Sequence, residues 1–562
     1  MNMKNYYFLL TVLMYCAVTT NAQNKYPTNF FSSPIESKIA IAGTFGELRN
    51  DHFHSGIDIK TKQKKNIPIY AAQDGYITRI KVSSYGFGKA LYLNHKYVDQ
   101  KGKTHHFTTV YAHLENFNNK ITNRVLKEHY TKENFEIDFN VKHENIHVKK
   151  GEIIGFSGNT GSSTAPHLHF EIRETRTQKV LNPMLFGLPI LDRTFPIINS
   201  ILLYYQQGKK EKITTKKINH NTYKLEKNIH INEPFNIGIN TYDLLDAAPN
   251  KNGIYSIELY LNDSLIFANK MDSFSFSETK YINSHIDYAY YKNHKEKFQK
   301  CFLDPNNKLS TNTKHTNHFI GEFIQDGTHK IYLKVKDSYH NTSYLNFNFE
   351  FTKTHQNAIK KQNENIINAQ KIFEFKNDNC KIYIPNNSLY EDEPFLFKEY
   401  NNNTMDYPIY QIMDDSIPSH KYFTIHMNNY MIPPEKKDKA IIAKIDNEEI
   451  KYIKTTWNDN YIVGKSNEFG NFTIIIDSIK PNITYHGIND NVMTLSIKDE
   501  LSGIQRYRGE IDGKWVLMEY DYKTNLLTHQ FRSPAVNKKH ILHVTLIDKA
   551  GNQSTLERYF IR

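Results

Sequence analysis

From residue 67 onward, apolar and polar positions alternate in short bursts separated by turn residues. Ile67-Pro68-Ile69-Tyr70, Gly75-Tyr76-Ile77-Thr78-Arg79-Ile80-Lys81-Val82 and Ala90-Leu91-Tyr92-Leu93-Asn94-His95 each read as a strand. Side chains two apart on extended chain share a face, so this period buries one side and wets the other. Twelve of the 24 glycines fall between Gly43 and Gly187. Dense glycine among short strands predicts tight turns in an all-β unit, placed here at residues 30–195. Within it, residues 115–145 are polar and poor in glycine. They read as an insertion with a helix near Ile121 to Tyr130.

After Pro196 the strands lengthen. Ile254-Tyr255-Ser256-Ile257-Glu258-Leu259-Tyr260-Leu261 alternates cleanly, and so does Lys330-Ile331-Tyr332-Leu333-Lys334-Val335-Lys336-Asp337. "LKVKDSYHN" and, near the C-terminus, "VTLIDKAGN" read as one strand and turn used twice. The pattern predicts immunoglobulin-like β-sandwich modules at 215–355 and 481–562. Between them, 356–480 reads as a polar helical connector (Asn357 to Ala369) followed by a further β module. The fold class is therefore all-β: an antiparallel β-sheet domain followed by β-sandwiches.

The N-terminus changes the setting. Lys4, the apolar run Tyr6 to Val18 and the small-x-small site Thr20-Asn21-Ala22 predict a signal peptide at 1–22. The run is shorter than the ~20 residues of a membrane span; a short membrane anchor is the competing reading. No later stretch predicts a transmembrane span. Beyond it lie two cysteines, Cys301 and Cys380, which read either as one disulfide or as two buried thiols. With no Cys-x-x-Cys pair, a thiolate zinc site is excluded. The chain has 562 residues and a formal charge of +12, from 71 Lys and Arg against 59 Asp and Glu. That charge is spread out, with no basic block interleaved with aromatics, which argues against nucleic acid as a partner.

Three segments of the first domain carry candidate chemistry. They are His52-Phe53-His54-Ser55-Gly56-Ile57-Asp58-Ile59-Lys60, Val110-Tyr111-Ala112-His113-Leu114 and Thr164-Ala165-Pro166-His167-Leu168-His169-Phe170-Glu171-Ile172. On a strand, His167 and His169 point the same way and Leu168 points into the core. His54 and Asp58 share a face on extended chain, and a bend at Gly56 can bring both onto one ion. Catalytic zinc takes three His, Asp or Glu ligands and keeps one position open for water. The ion acidifies that water and polarises a carbonyl, and spare histidines handle the proton or the oxyanion. Spacing alone does not say which of His167 and His169 is the ligand.

The segments "FHSGIDI", "GFGKALYLNH", "YAHL" and "GEIIGFSGNTGSSTAPHLHFEI" resemble the signature blocks of the lysostaphin/LytM-type zinc metalloendopeptidases, over about residues 40–190. The resemblance implies that His54, Asp58 and His169 bind one Zn2+ per chain, with His113 and His167 as the catalytic pair. It implies an exported peptidase of the periplasm, cell envelope or medium that cuts the peptide stems of bacterial peptidoglycan. The alternative is a non-catalytic peptidoglycan-binding or hydrolase-activating protein of the same fold, and the complete set of five residues speaks against it. The C-terminal modules are expected to hold the enzyme on the wall or on a cell-envelope protein partner. Arg49 is expected to position a substrate carboxylate. Asn159, Thr160, Ser163 and Thr164 are expected to bond substrate backbone or cap a turn. His52, His95, His105 and His106 have no required role and read as surface or supporting residues.

Overall fold

The computed structural model describes residues 25–562, apart from 142–145, 228, 247, 354–364, 447–448 and 459. The expected export segment, 1–22, lies outside the described residues, and so does most of the 357–369 connector.

The first domain is built on strands β1 (Ile41–Gly43), β2 (Ile57–Lys60), β3 (Pro68–Tyr70), β4 (Gly75–Val82), β5 (Lys89–Val98) and β6 (Thr104–Phe117), helix α1 (Asn119–Lys132), then β7 (Ile137–Asn140), β8 (His147–Val148), β9 (Ile153–Ser157) and β10 (His167–Glu174). Its main path runs β1-β2-β10-β6-β5-β4-β7. All these pairings are antiparallel. Ile57 and Ile59 of β2, and Leu168, Phe170 and Ile172 of β10, are fully buried in one core. Each such side chain contributes ~1.5–3 kcal/mol. A one-residue slip would turn all of them to the other face, so the register is strongly fixed. That register pairs His169 with Asp58 on one side and with Ala112 on the other.

Helix α1 forms in the insertion, its N-cap Asn118 accepting a hydrogen bond from the Ile121 amide. Ile121, Val125 and His129 are buried beneath it. The helix also offers a docking face. Tyr130 packs edge-on against Trp515, Glu133 pairs with Arg508 at 2.7 Å, and Lys89 of β5 pairs with Glu519 at 2.8 Å. Tyr85 packs on Tyr522, and Lys523 Nζ donates to the carbonyls of Asn159 and Ser163. The last module therefore folds back onto the first domain.

Strands from Ile197–Tyr205 to Thr342–Phe351 form one sheet system around a second core. Two five-stranded sheets between Phe373 and Ile476 share a third core. Two four-stranded sheets between Asn482 and Ile561 sandwich a fourth. The described end of the connector is not helical: Ile366–Ile367 is a short strand paired with Glu393–Pro394, and inter-strand bonds there override local helix propensity. Cys301 and Cys380 are free thiols in different cores, and burial pushes both up, Cys380 to about 12. Among the described residues no helix is long and apolar enough to cross a membrane.

His95 is a core residue, bonded through Nδ1 to the Asp74 carbonyl at 2.9 Å and through Nε2 to Thr109 Oγ1 at 2.7 Å. Burial pushes its pKa down to about 4, and does the same to His285. Both are depressed below the unfolded value, so their stabilisation is present above ~6.5 and is lost as pH falls toward 4. At about 1.4 kcal/mol per unit, each is worth up to roughly 3 kcal/mol across that window. Denaturant midpoints are expected to fall between pH 6.5 and 4.5, and His285→Gln is expected to flatten that fall.

Candidate metal centre

Strands β2, β10 and β6 lie side by side, so Asp58, His169 and Ala112 line one face of the sheet. The strand alternation that buries Leu168 and Phe170 directs His167, His169, Glu171 and Arg173 to the other face. His113 does not follow this rule. One residue past Ala112, a regular strand would send it to the Tyr111 side, into the core. Instead His113 has φ +60°, which flips its side chain toward His169. A left-handed non-glycine residue costs about 1–3 kcal/mol. Two hydrogen bonds hold it there: its amide donates to the Phe87 carbonyl at 2.9 Å, and its Nδ1 donates to the Thr160 carbonyl at 2.8 Å.

His54 enters from the loop before β2. Gly56 makes the approach possible, since a Cβ there would lie 2.4 Å from the Phe170 carbonyl oxygen. Gly56→Ala is expected to push β2 off β10, with an overpacking penalty of about 1–3 kcal/mol. A thermal scan would register it as a lowered midpoint.

At the centre, three atoms converge. His54 Nε2 lies 3.0 Å from Asp58 Oδ1 and 3.0 Å from His169 Nδ1, and His169 Nδ1 lies 2.9 Å from Asp58 Oδ1. The outer nitrogens fix the tautomers. His54 Nδ1 donates to the Thr44 carbonyl at 2.8 Å, which leaves Nε2 bare. His169 Nε2 faces Glu171 Oε1 at 3.0 Å. Glu171 is itself held by Ser55 and by Arg173 Nε at 2.6 Å. Arg49 Nη2 donates to Asp58 Oδ2 at 2.7 Å, so Arg49 serves Asp58 and is not a free receptor for a substrate carboxylate.

Two imidazole nitrogens and a carboxylate oxygen thus point their lone pairs at one spot, and something positive must sit among them. Without a metal that is a proton. Burial alone would lower His169, but its hydrogen bonds to Asp58 and Glu171 outweigh it and lift the pKa to about 9. Burial would raise Asp58, but His54, His167 and His169 hold it well below the usual carboxylate range. The donor set also fits a tetrahedral zinc ion. Ligands at 2.0–2.1 Å stand ~3.3 Å apart, close to the edges seen here. Glu171, Thr44 and Arg49 supply the outer bonds such ligands require. Glu171→Gln keeps the shape but removes the anion behind His169. It is expected to weaken metal binding by about 10–100-fold in a competitive chelator titration.

His113 and His167 stand beside this group, their ring centroids 4.8 Å apart. His167 Nδ1 donates to the Ala165 carbonyl at 2.8 Å, and its Nε2 lies 3.4 Å from Asp58 Oδ1. Burial, then the imidazoles of His167 and His169, push His113 down to about 3. Phe87 stacks on His169 at 5.1 Å. The five residues open onto a cleft of about 910 Å³, lined also by Arg49, Ser163 and Pro166. His52 reaches the rim, exposed and paired with Asp51. His105 pairs with Asp99 away from the cleft. Of the loop residues, Thr160 holds His113 through its carbonyl and Ser163 Oγ lies 3.1 Å from His167 Nδ1. Glu171 and Arg173 are marked in the sequence only by continuing the His167-x-His169 period.

An all-β domain with two histidines and an aspartate converging beside two further histidines defines the class: a β-sheet domain with a candidate metal-dependent hydrolytic centre. The model of Peptidase family M23 matches residues 134–183, and that of a Zu5-like domain matches residues 364–477. The DD-carboxypeptidase/endopeptidase Mpg of Neisseria meningitidis serogroup B is 32% identical over 147 residues, 26% of each chain. Glycyl-glycine endopeptidase ALE-1 of Staphylococcus capitis is 33% identical over 118 residues, 21% of this chain and 24% of that one. Lysostaphin of Staphylococcus simulans is 30% identical over 122 residues, 22% of this chain and 18% of that one. The matched stretch thus spans about a quarter or less of these relatives' own length. Among solved structures, the catalytic domain of S. simulans lysostaphin is similar at 28% identity and a TM-score of 0.18, covering 26% of this chain and 89% of that one. The first domain is thus similar to peptidases of the lysostaphin/LytM type.

Proposed function

We propose that the chain is an exported zinc metalloendopeptidase that hydrolyses peptide cross-links of bacterial peptidoglycan. The observation that carries the reading is the convergence of His54 Nε2, Asp58 Oδ1 and His169 Nδ1 within about 3 Å of one another at the floor of an open cleft. In this reading His54, Asp58 and His169 hold the ion. Zinc, when bound there, acidifies a water and polarises the scissile carbonyl. His113 is neutral, with Nδ1–H fixed on Thr160, so its Nε2 lone pair accepts the proton of the attacking water. His167, its Nδ1–H fixed on Ala165, turns Nε2 toward Asp58 and shares with His113 the handling of the proton and the developing oxyanion. Arg49 pins the second oxygen of Asp58.

The relatives named as endopeptidases support this class, and the wall peptide as substrate is part of the proposal. The reading includes export by residues 1–22 and attachment to the envelope through the later modules. Digestion of isolated peptidoglycan, with the fragments identified by mass, tests it. Cross-linked fragments are expected to give way to uncrosslinked stems. Intact cross-links after incubation with zinc-loaded protein would overturn the reading, and cleavage of casein alone would redirect it to a general secreted protease.

A further inference from the structure

Two carboxylate clusters outside the cleft repeat each other across the chain. Asp192, Asp243 and Asp337 bring one oxygen each within 4.8 Å of the others, and so do Asp477, Asp499 and Asp548. The members occupy equivalent places. Asp192 and Asp477 precede the first strand of a β-sandwich, and each is followed four residues later by proline, Pro196 or Pro481. Asp243 and Asp499 stand at the end of an early strand, upstream of Gly253-Ile254 or Gly503-Ile504. Asp337 and Asp548 close a late strand, and each is followed four residues on by Asn341 or Asn552.

The bonds around them repeat as well. Asn341 Nδ2 donates to Asp337 Oδ2 at 2.6 Å and to the Asp192 carbonyl at 3.3 Å. Asn552 Nδ2 donates to Asp548 Oδ2 at 2.8 Å and to the Asp477 carbonyl at 2.8 Å. Ser343 Oγ donates to the Pro196 carbonyl and Ser554 Oγ to the Pro481 carbonyl, both at 2.5 Å. The repeated strand and turn in the sequence is thus the visible part of a larger duplicated constellation.

Among the described residues, none of the six aspartates forms a salt bridge within 4.0 Å. Several of their oxygens have no hydrogen-bond partner although they are shut off from solvent: Asp192 Oδ2, Asp243 Oδ1 and Asp499 Oδ1. Asp243 is only 1% exposed. Asn252, 2% exposed, sits opposite Asp243 in the strand register, and its Oδ1 is also unpartnered. Residues opposite each other in an antiparallel pair point to the same side, so this neutral carbonyl is carried on the Asp243 side of the strand pair. A buried, unpartnered oxygen costs about 1–3 kcal/mol, more for a charged group. Burial and the charges of Asp192 and Asp337 push Asp243 up to about 9, and burial foremost pushes Asp337 up to about 7.

We infer that each cluster is a binding site for a hard divalent cation of the calcium class, one at the base of each of the two sandwiches. The donors are oxygens alone, which is the preference of calcium, whereas the cleft offers two imidazoles, which suit zinc. Each ion ties the segment leading into a module to two loops of that module and so stiffens the joint. The first has a route to the cleft: the Gly253 amide donates to Thr44 Oγ1 at 2.9 Å, and the Thr44 carbonyl orients His54.

Equilibrium dialysis of the full chain against radioactive calcium tests this without reference to zinc. At about 10 mM free calcium, roughly tenfold above the weakest affinities of extracellular modules, close to two calcium ions per chain are expected. Asp243→Asn and Asp499→Asn are each expected to remove one, and the double variant both. In a parallel thermal scan calcium is expected to raise the midpoint of the unaltered chain by several degrees and to leave the double variant unmoved. Fewer than two ions on the unaltered chain, or binding that survives in the double variant, overturns the inference.

Discussion

Alanine in place of His169 is expected to leave the protein without metal in the cleft and to reduce cross-link hydrolysis to background. His169 sits at the middle of the arrangement, between Asp58 at 2.9 Å, His54 at 3.0 Å and Glu171 at 3.0 Å. In the proposed reading its removal takes away one of three ligands. It also takes a hydrogen-bonding partner from the buried carboxylates of Asp58 and Glu171. Glu171 keeps Arg173 and Asp58 keeps Arg49, so the fold is expected to survive with a lowered midpoint. Zinc content by elemental analysis and fragment masses from digested peptidoglycan, measured on one sample, check both halves.

His113→Ala is expected to behave differently, because His113 touches no ligand atom and is placed to move a proton. Loss of a positioned general base costs typically 10²–10⁴-fold. The expected result is a drop of that size in kcat with zinc content unchanged. Alanine keeps a Cβ at the left-handed position and loses the hydrogen bond to the Thr160 carbonyl, so the variant's melting midpoint is expected to hold or fall slightly. A kcat loss with retained metal separates this role from that of His169, and full activity in His113→Ala would remove His113 from the mechanism.

The sequence carried the parts of the site that depend on strand period. Leu168 and Phe170 inward, His167 and His169 outward, follows from alternation. So does the pairing face of Asp58, flanked by the buried Ile57 and Ile59. What period two cannot contain is an exception to itself. His113 reaches the cleft only because residue 113 leaves the extended region, and nothing local in Tyr-Ala-His-Leu announces that. The long-range partners were also out of reach. Arg49 reads as a free basic residue until the loop from 44 to 54 folds it onto Asp58. Lys89 meets Glu519 across 430 residues. The insertion shows its helix in sequence through a polar run without glycine, but its use as a dock for Arg508 and Trp515 depends on a module folded from the far end of the chain. Conversely, the similarity of "LKVKDSYHN" and "VTLIDKAGN" was visible as two words, while the two other aspartates of each cluster were scattered over 150 residues or fewer and found each other only in the fold.

The most direct test is a zinc titration of metal-free protein, with cross-link cleavage followed at each addition. Activity is expected to rise in proportion to zinc and to saturate at one ion per chain, with Asp58→Ala and His169→Ala showing no rise at any point. Cleavage that is independent of zinc, or a rise that persists in either variant, would contradict the assignment of His54, Asp58 and His169 as the metal site.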